Sequence, residues 1–138
     1  MKNALNRDAL LKKEELEVVK VDLSKDEFVY VRQMTGRERD IWERSLYRME
    51  KRGKTMESVS TLEDFRAKLA VCTLCDEEGK LLLKPTDVSM LSQNMSAAKL
   101  ELIINEAQKL NKISEEDKEE LIKNSEDGQA VSSSSDSV

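Results

Sequence analysis

The residues best suited to chemistry lie in the stretch Cys72 to Asp87, which reads CTLCDEEGKLLLKPTD. A CxxC pair, three consecutive acids and a glycine could form a metal or redox site. In an EF-hand loop the glycine takes the sixth of twelve positions, with an acid first and a glutamate last. Aligning Gly79 to the sixth place puts Leu74 first and Pro85 last. Because both positions lack a carboxylate, the pattern does not match a calcium loop.

The same stretch is better interpreted as a connector between two helices. The three acids would end the first helix and Gly79 would take a left-handed conformation. A short strand over residues 80–83 would follow, and Pro85 with Thr86 would start the next helix.

The CxxC pair, Cys72 and Cys75, has few possible partners. A structural zinc ion needs four ligands, and the chain offers two thiols and no histidine. A redox-active pair belongs at a helix start, where the helix dipole lowers the thiol pKa, whereas this pair lies near the end of a predicted helix. We therefore expect both cysteines to act as small buried apolar residues.

The absence of histidine restricts the possible functions most. It removes the commonest general base and the commonest zinc ligand. We therefore predict that the protein is not an enzyme and has no cofactor or metal.

Composition favours one helix-rich domain. A length of 138 residues suits a single domain, and 37% charged residues indicate wide solvated faces. The net charge of -5 argues against general nucleic-acid binding. No apolar run is long enough to span a membrane and the amino end lacks a signal-peptide core, so a soluble intracellular protein is expected.

Residue patterns predict a small β-hairpin followed by helices. Residues 1–14 should form a flexible segment. The runs LEVVKVDL and EFVYVRQ, from Leu16, favour a hairpin with Phe28 and Tyr30 on one face and Val29 and Val31 on the other.

Four helices are predicted after the hairpin. Thr35 and Glu38 form a capping box for a helix from about Gly36 to Arg52 that ends at Gly53. The others run over about Leu62 to Leu74, where two apolar stripes are predicted, after Ser96, and after Ser114. The helix after Ser96 has a single apolar stripe, formed by Leu100, Ile103, Ile104, Ala107 and Leu110. The Ser-rich residues 125–138 have little to bury and are expected to be disordered.

The helix after Thr35 carries the candidate binding residues. In projection Trp42, Leu46 and Met49 lie on one side, and a basic stripe lies opposite. The candidate contact face within that stripe consists of Arg37, Ile41, Arg44 and Arg48. Such a face is often simply solvated, but it could also meet an acidic partner or, less suitably, nucleic acid. The methionines at 34, 49, 56, 90 and 95 are either adaptable contacts or ordinary core and loop residues.

The order of elements resembles the tail assembly chaperones of long-tailed bacteriophages and related prophages. The similarity covers about residues 15–126. It is carried by the TGRER helix start at Thr35, the DEEG turn at Asp76 with Asp87 and Leu91 downstream, and Leu110-Asn111 followed by Ser114 and KNSE.

This resemblance implies a protein that acts by non-covalent binding. Such chaperones hold the aggregation-prone tape measure protein soluble in the host cytoplasm until the tail tube assembles, and they are absent from the mature virion. It also implies contact with the tail tube protein, self-association and a frameshifted longer form, of which this chain resembles the short form. No membrane contact is expected.

The resulting prediction is a mainly α fold with a small amino-terminal β-hairpin, hence α+β. It has a flexible segment over residues 1–14, a single domain over 15–124 and a disordered tail over 125–138. The alternative function is an intracellular regulatory or adaptor protein that uses the basic helix face to bind an acidic partner or nucleic acid.

Overall fold

A computed structural model describes residues 2–60, 63–114, 117 and 120, with the backbone alone at 48–50 and 58–60. Within these ranges the helices are α1 (Arg7–Leu11), α2 (Gly36–Ser45), α3 (Phe65–Thr73), α4 (Val88–Asn94) and α5 (Ala97–Leu110). The strands are β1 (Val18–Asp22), β2 (Phe28–Arg32), β3 (Tyr47–Arg52), β4 (Thr55–Ser60) and β5 (Leu74–Cys75). The chain is therefore α+β, as predicted.

The predicted amino-terminal hairpin is confirmed and belongs to a three-stranded antiparallel sheet. The strand order is β1-β2-β5, with Val19 opposite Val31 and Val31 opposite Leu74. Val31 is fully buried and Val29 packs against the core, while the rings of Phe28 and Tyr30 meet edge to face on the outer surface, 5.5 Å apart. The two faces are those that alternation predicted.

The core lies between this sheet and the helices α2, α3 and α5. The predicted stripe on α5 is confirmed: Leu100, Ile103, Ile104 and Ala107 are buried. On α3 the sequence showed two apolar stripes, and that helix is buried on most of its circumference: Ala67, Leu69, Ala70, Val71 and Thr73. Thr73 satisfies its hydroxyl locally by donating to the carbonyl of Leu69, 2.9 Å away.

The prediction of a helix from Gly36 to Arg52 is wrong beyond Ser45. The capping box of Thr35 and Glu38 is present, but α2 ends after ten residues and the chain forms a second hairpin, β3-β4. Arg52 pairs with Thr55 across Gly53, which has a φ of 67°. The two six-residue strands are joined by a two-residue loop that contains Gly53. Their backbone amides and carbonyls pair across the hairpin, in place of the hydrogen bonds that a longer helix would form internally. Gly53 thus has the predicted left-handed conformation in a different structural role.

The stretch after α3 is a connector, as predicted, but the three acids do not end the helix: α3 ends at Thr73 and β5 lies between it and Asp76. The carboxylate of Asp76 accepts from the amides of Glu78 and Lys80, at 2.8 and 3.0 Å, and Gly79 has a φ of 88°. Leu81 forms a single bridge with Cys75 in place of the predicted strand. A 3-10 turn over Pro85–Asp87 then leads into α4.

Ser96 caps α5 as predicted, and Ser114 exchanges hydrogen bonds with Asp117 at 3.0 and 3.1 Å. Most of the predicted last helix and all of the tail at 125–138 lie outside the described residues.

The amino-terminal segment, expected to be flexible, contains the exposed single-turn helix α1, capped by Asn6. None of the helices in the described ranges has the length and apolar content that a membrane span requires.

Candidate partner-binding site

Helix α2 presents Arg37, Ile41 and Arg44 to solvent on one face. These residues are spaced by four and three positions, so a helix brings them onto one side. The opposite side is anchored by Trp42, which is fully buried and meets the ring of Phe65 edge to face at 5.9 Å. The buried tryptophan fixes which face of α2 points outward.

Ile41 is 43% exposed and lies at the edge of a narrow apolar cleft of about 40 Å³. The cleft runs between α2, α3 and the start of α4, and its other lining residues include Val71, Cys72, Pro85 and Val88. An exposed isoleucine beside such a cleft offers a partner an apolar contact and space for a small apolar group.

The arginines of α2 differ in whether their side chains already have partners within the protein. Arg39 donates to the carboxylate of Glu43 at 3.1 Å and to the carbonyl of Asn111 at 2.9 Å. Among the described residues, Arg37 and Arg44 have no carboxylate within ion-pair distance. Their guanidinium groups thus remain available for an acidic group on a partner.

Arg48, the fourth predicted contact residue, does not belong to this helical face. It lies in β3, where its backbone is opposite Val59. The helix ends three residues earlier, so the spacing that placed Arg48 above Arg44 does not apply. The structure brings three of the four predicted residues together.

A second surface was missed by sequence reasoning. An open groove, hereafter the Met95 groove, lies between the β1-β2 turn and the α4-α5 junction. Its two adjoining parts, of about 400 and 500 Å³, share Met95 and Lys99. Its apolar lining residues are Leu23, Phe28, Val29, Leu91 and Met95.

The Met95 groove is crossed by one ion pair and remains accessible. Lys99 donates to Glu27 at 2.7 Å, which links α5 to the hairpin turn. Phe28 is 49% exposed at the groove edge. The only available signal in the sequence was the methionine directly before the Ser96 cap, but the groove depends on a tertiary contact that no local pattern predicts.

The two cysteines occupy apolar positions, as expected. Both thiols are free; Cys75 is buried in β5 and Cys72 is partly buried on α3. Burial raises the pKa of each thiol, and for Cys72 the nearby Glu38 carboxylate raises the pKa further. A raised pKa disfavours the thiolate, which is the reactive and metal-binding form. Within the described ranges no three His, Cys, Asp or Glu side chains are grouped as metal ligands.

Comparison with family models, with curated proteins and with solved structures gives no match to this chain. What the arrangement offers chemically is non-covalent contact: a basic and apolar helix face, and an open apolar groove.

Proposed function

We propose that the protein is a tail assembly chaperone of the long-tailed phage type, which binds the tape measure protein non-covalently and keeps it soluble during tail tube assembly. The support is the resemblance carried by the helix start at Thr35, the turn at Asp76 and the Leu110-Asn111 segment. The chaperone domain would span residues 15–124, be mainly helical and act in the host cytoplasm.

The observation that carries the proposal is the exposure of Ile41 between Arg37 and Arg44 at the edge of an apolar cleft. A protein that holds a client soluble must cover apolar surface on that client. It must also release the client when the tube assembles, which favours modest contacts over deep pockets. The α2 face combines a small apolar contact with two charges that would orient an amphipathic client segment.

The residues of the resemblance have structural roles that position this face. Thr35 and Glu38 start α2. Asn111 accepts from the amide of Met34 at 2.6 Å and offers its own carbonyl to Arg39, so the end of α5 holds the start of α2. The shared residues would then preserve the geometry of the binding helix and leave its outward face free to match a particular client.

Co-expression with a tape measure protein from the same phage or prophage tests the proposal. The client is expected to stay soluble and to copurify with the wild-type chain. Replacing both Arg37 and Arg44 by glutamate should reduce copurification at least tenfold without altering the circular dichroism spectrum, because both side chains are exposed.

A matched control carries the same change in charge elsewhere. Lys25 and Lys80 are exposed on two turns, and their replacement by glutamate should leave client binding within twofold of wild type. If the client stays insoluble with the wild-type chain, the chaperone assignment is wrong. If both double variants bind equally well, the α2 face is not the binding site.

The same exposed arginines support the alternative, a regulatory or adaptor protein that binds an acidic partner or nucleic acid. Phosphate contacts would make the affinity fall steeply as salt rises. A gel shift with duplex DNA and single-stranded RNA near 150 mM salt, using the Arg37→Glu/Arg44→Glu variant as the control, separates this alternative from a protein client.

A further inference from the structure

Helix α1 leaves its apolar side chains uncovered. Leu5, Leu10 and Leu11 are 61%, 65% and 68% exposed, and no residue of α1 is buried. Leu5 and Leu10 occupy the two positions of a hydrophobic staple around the Asn6 cap. A single-turn helix is far shorter than the roughly 12–15 residues that make an isolated helix marginally stable in water. A helix this short with exposed leucines is stabilised when it packs against another apolar surface.

The Met95 groove is an uncovered apolar surface of suitable kind. Its floor is formed by Leu23, Val29, Leu91 and Met95, all partly buried, and Phe28 stands at its edge. Its two parts, of about 400 and 500 Å³, have room for a helix turn that carries leucines, whereas the cleft of about 40 Å³ beside Ile41 does not.

The charges of the two surfaces are complementary. Residues 2–13 contain four basic side chains, at positions 2, 7, 12 and 13, and one acid, Asp8. The groove and the β1-β2 turn that borders it carry three acids, Asp22, Asp26 and Glu27, and two cations, Lys25 and the groove-lining Lys99. A basic apolar segment beside an acidic-edged apolar groove gives both attraction and register.

The connection in the chain argues against docking of α1 into the groove of its own copy. Glu17 is held in place, because its amide donates to the Gln33 side chain at 2.9 Å and its carbonyl accepts from the Gln33 amide at 3.0 Å. The groove lies at the other end of β1, about 20 Å away at 3.3 Å per residue. The chain between Leu11 and Glu17 reaches about 20 Å only when fully extended, which leaves no length for the helix to lie in the groove.

We propose that α1 of one copy docks in the Met95 groove of a second copy, and that the exchange is reciprocal, giving a symmetric dimer. In such an arrangement each α1 covers the groove of its partner and the same surfaces meet twice. This inference concerns self-association and does not rest on the proposed chaperone function.

Sedimentation equilibrium of the full chain over about 1–200 μM tests it. The wild-type chain is expected to form dimers. The variant Leu10→Glu/Leu11→Glu and the groove variant Met95→Glu should each shift the dimer dissociation constant upward by at least a hundredfold. Phe28→Glu, at an exposed edge position, serves as a second groove variant should Met95→Glu unfold the chain. The control is Leu82→Glu, a 59% exposed leucine outside the groove, which should dimerise like wild type.

Mixing the variants distinguishes exchange between copies from other arrangements. The α1 variant keeps an intact groove and the groove variant keeps an intact α1, so an equimolar mixture should form a heterodimer through one of the two contacts. A tagged α1 variant should therefore retain the untagged groove variant, and neither should retain itself. A wild-type chain that stays monomeric, a dimer that survives in the α1 variant, or a mixture without heterodimer would each overturn the proposal.

Discussion

The carboxylate of Glu38 joins the first turn of α2 to the guanidinium of Arg32 in β2. One of its oxygens accepts from the amide of Thr35 at 2.9 Å and the other pairs with Arg32, whose side chain is 11% exposed. A single side chain therefore both caps the helix and compensates a mostly buried cation. This link fixes α2, and with it the face formed by Arg37, Ile41 and Arg44, against the sheet.

Replacing Glu38 by alanine should lower the free energy of unfolding by about 2–4 kcal/mol, because the capping box is lost and Arg32 is left without its carboxylate. Glu38→Gln should cost less, since an amide can still accept from Thr35. Urea denaturation measures both changes. The exposed Asp40→Ala is the control and should stay within about 0.5 kcal/mol of wild type. Equal stability of Glu38→Ala and Asp40→Ala would contradict the proposed link.

Asn111 connects the end of α5 to the start of α2, and its loss should destabilise the fold. Its side chain accepts from the Met34 amide at 2.6 Å and donates to the Ala107 carbonyl at 2.9 Å. Asn111→Ala leaves the Met34 amide without its partner, so we expect a cost of about 1–3 kcal/mol. Thermal unfolding monitored by circular dichroism measures it. Asn105→Ala, at an exposed position on α5, is the matched control and should have little effect.

Two glycines provide an opposed pair of substitutions. Gly79 has a φ of 88°, and an added Cβ would lie 3.4 Å from the Val18 side chain, so Gly79→Ala should cost about 1–2 kcal/mol. Gly36 lies in the first turn of α2 with open space around its Cα, so Gly36→Ala should be neutral or stabilising by up to about 1 kcal/mol. Chemical denaturation of the two variants should give changes in the free energy of unfolding that differ in sign or clearly differ in size. Similar losses from both would show that the conformation of Gly79 is not strained for alanine.

The elements that the sequence predicted well are those specified by local rules. The capping box at Thr35, the alternation of Val29 and Val31 against Phe28 and Tyr30, and the apolar period of α5 each depend on residues a few positions apart. The structure contains these elements as predicted because burial of apolar side chains against the core stabilises the same residue spacing that defines each element.

The error at Arg48 has a physical cause in the second hairpin. Residues 47–52 contain charged side chains that suit a solvated helix face as well as a solvated strand, so their pattern did not separate the two. Gly53 can end a helix or form a hairpin loop, and the paired strand β4 decided between them. The Met95 groove was unpredictable for a related reason: Leu23 and Met95 are far apart in the chain and meet only in the folded protein.

The cysteines should differ in reactivity and respond to alkaline pH. Burial raises the pKa of both thiols, so iodoacetamide should modify Cys72 slowly at pH 8 and Cys75, which is 1% exposed, only after unfolding. In the unfolded chain each thiol ionises near pH 8.5, whereas the folded thiols stay protonated. The protonated thiols therefore contribute to the stability of the folded state in full below about pH 8.5, and this contribution is lost as the pH rises through the pKa values of the folded thiols. Mass spectrometry after timed alkylation, with and without 6 M guanidinium as an approximate unfolding condition, measures the order of modification. Equal native rates for the two thiols would contradict their placement.

The ion pair that crosses the Met95 groove should make stability depend on pH in the acidic range. The hydrogen bond and charge of Lys99 lower the pKa of Glu27, and the Ser24 hydroxyl contributes in the same direction. A lowered folded pKa stabilises the protein above the ordinary carboxyl pKa of about 4.3, and this contribution disappears as the pH falls through the folded value. Glu27→Gln should therefore melt at a lower temperature than wild type at pH 7 and low salt, and the gap should close near pH 2–3 and shrink in 1 M salt, where screening is strong.

Lys25→Gln removes a neighbouring exposed charge and serves as the control for Glu27→Gln. Because the structure assigns Lys25 no ion pair within the described ranges, its melting temperature should follow wild type at both pH values. Calorimetry at low micromolar concentration keeps self-association from masking the difference, since Glu27 borders the groove proposed to receive α1. Below the carboxyl pKa, Glu27 is protonated and no longer carries the charge that pairs with Lys99. If the difference in melting temperature between Glu27→Gln and wild type persisted unchanged there, Glu27 would act through packing and not through its charge.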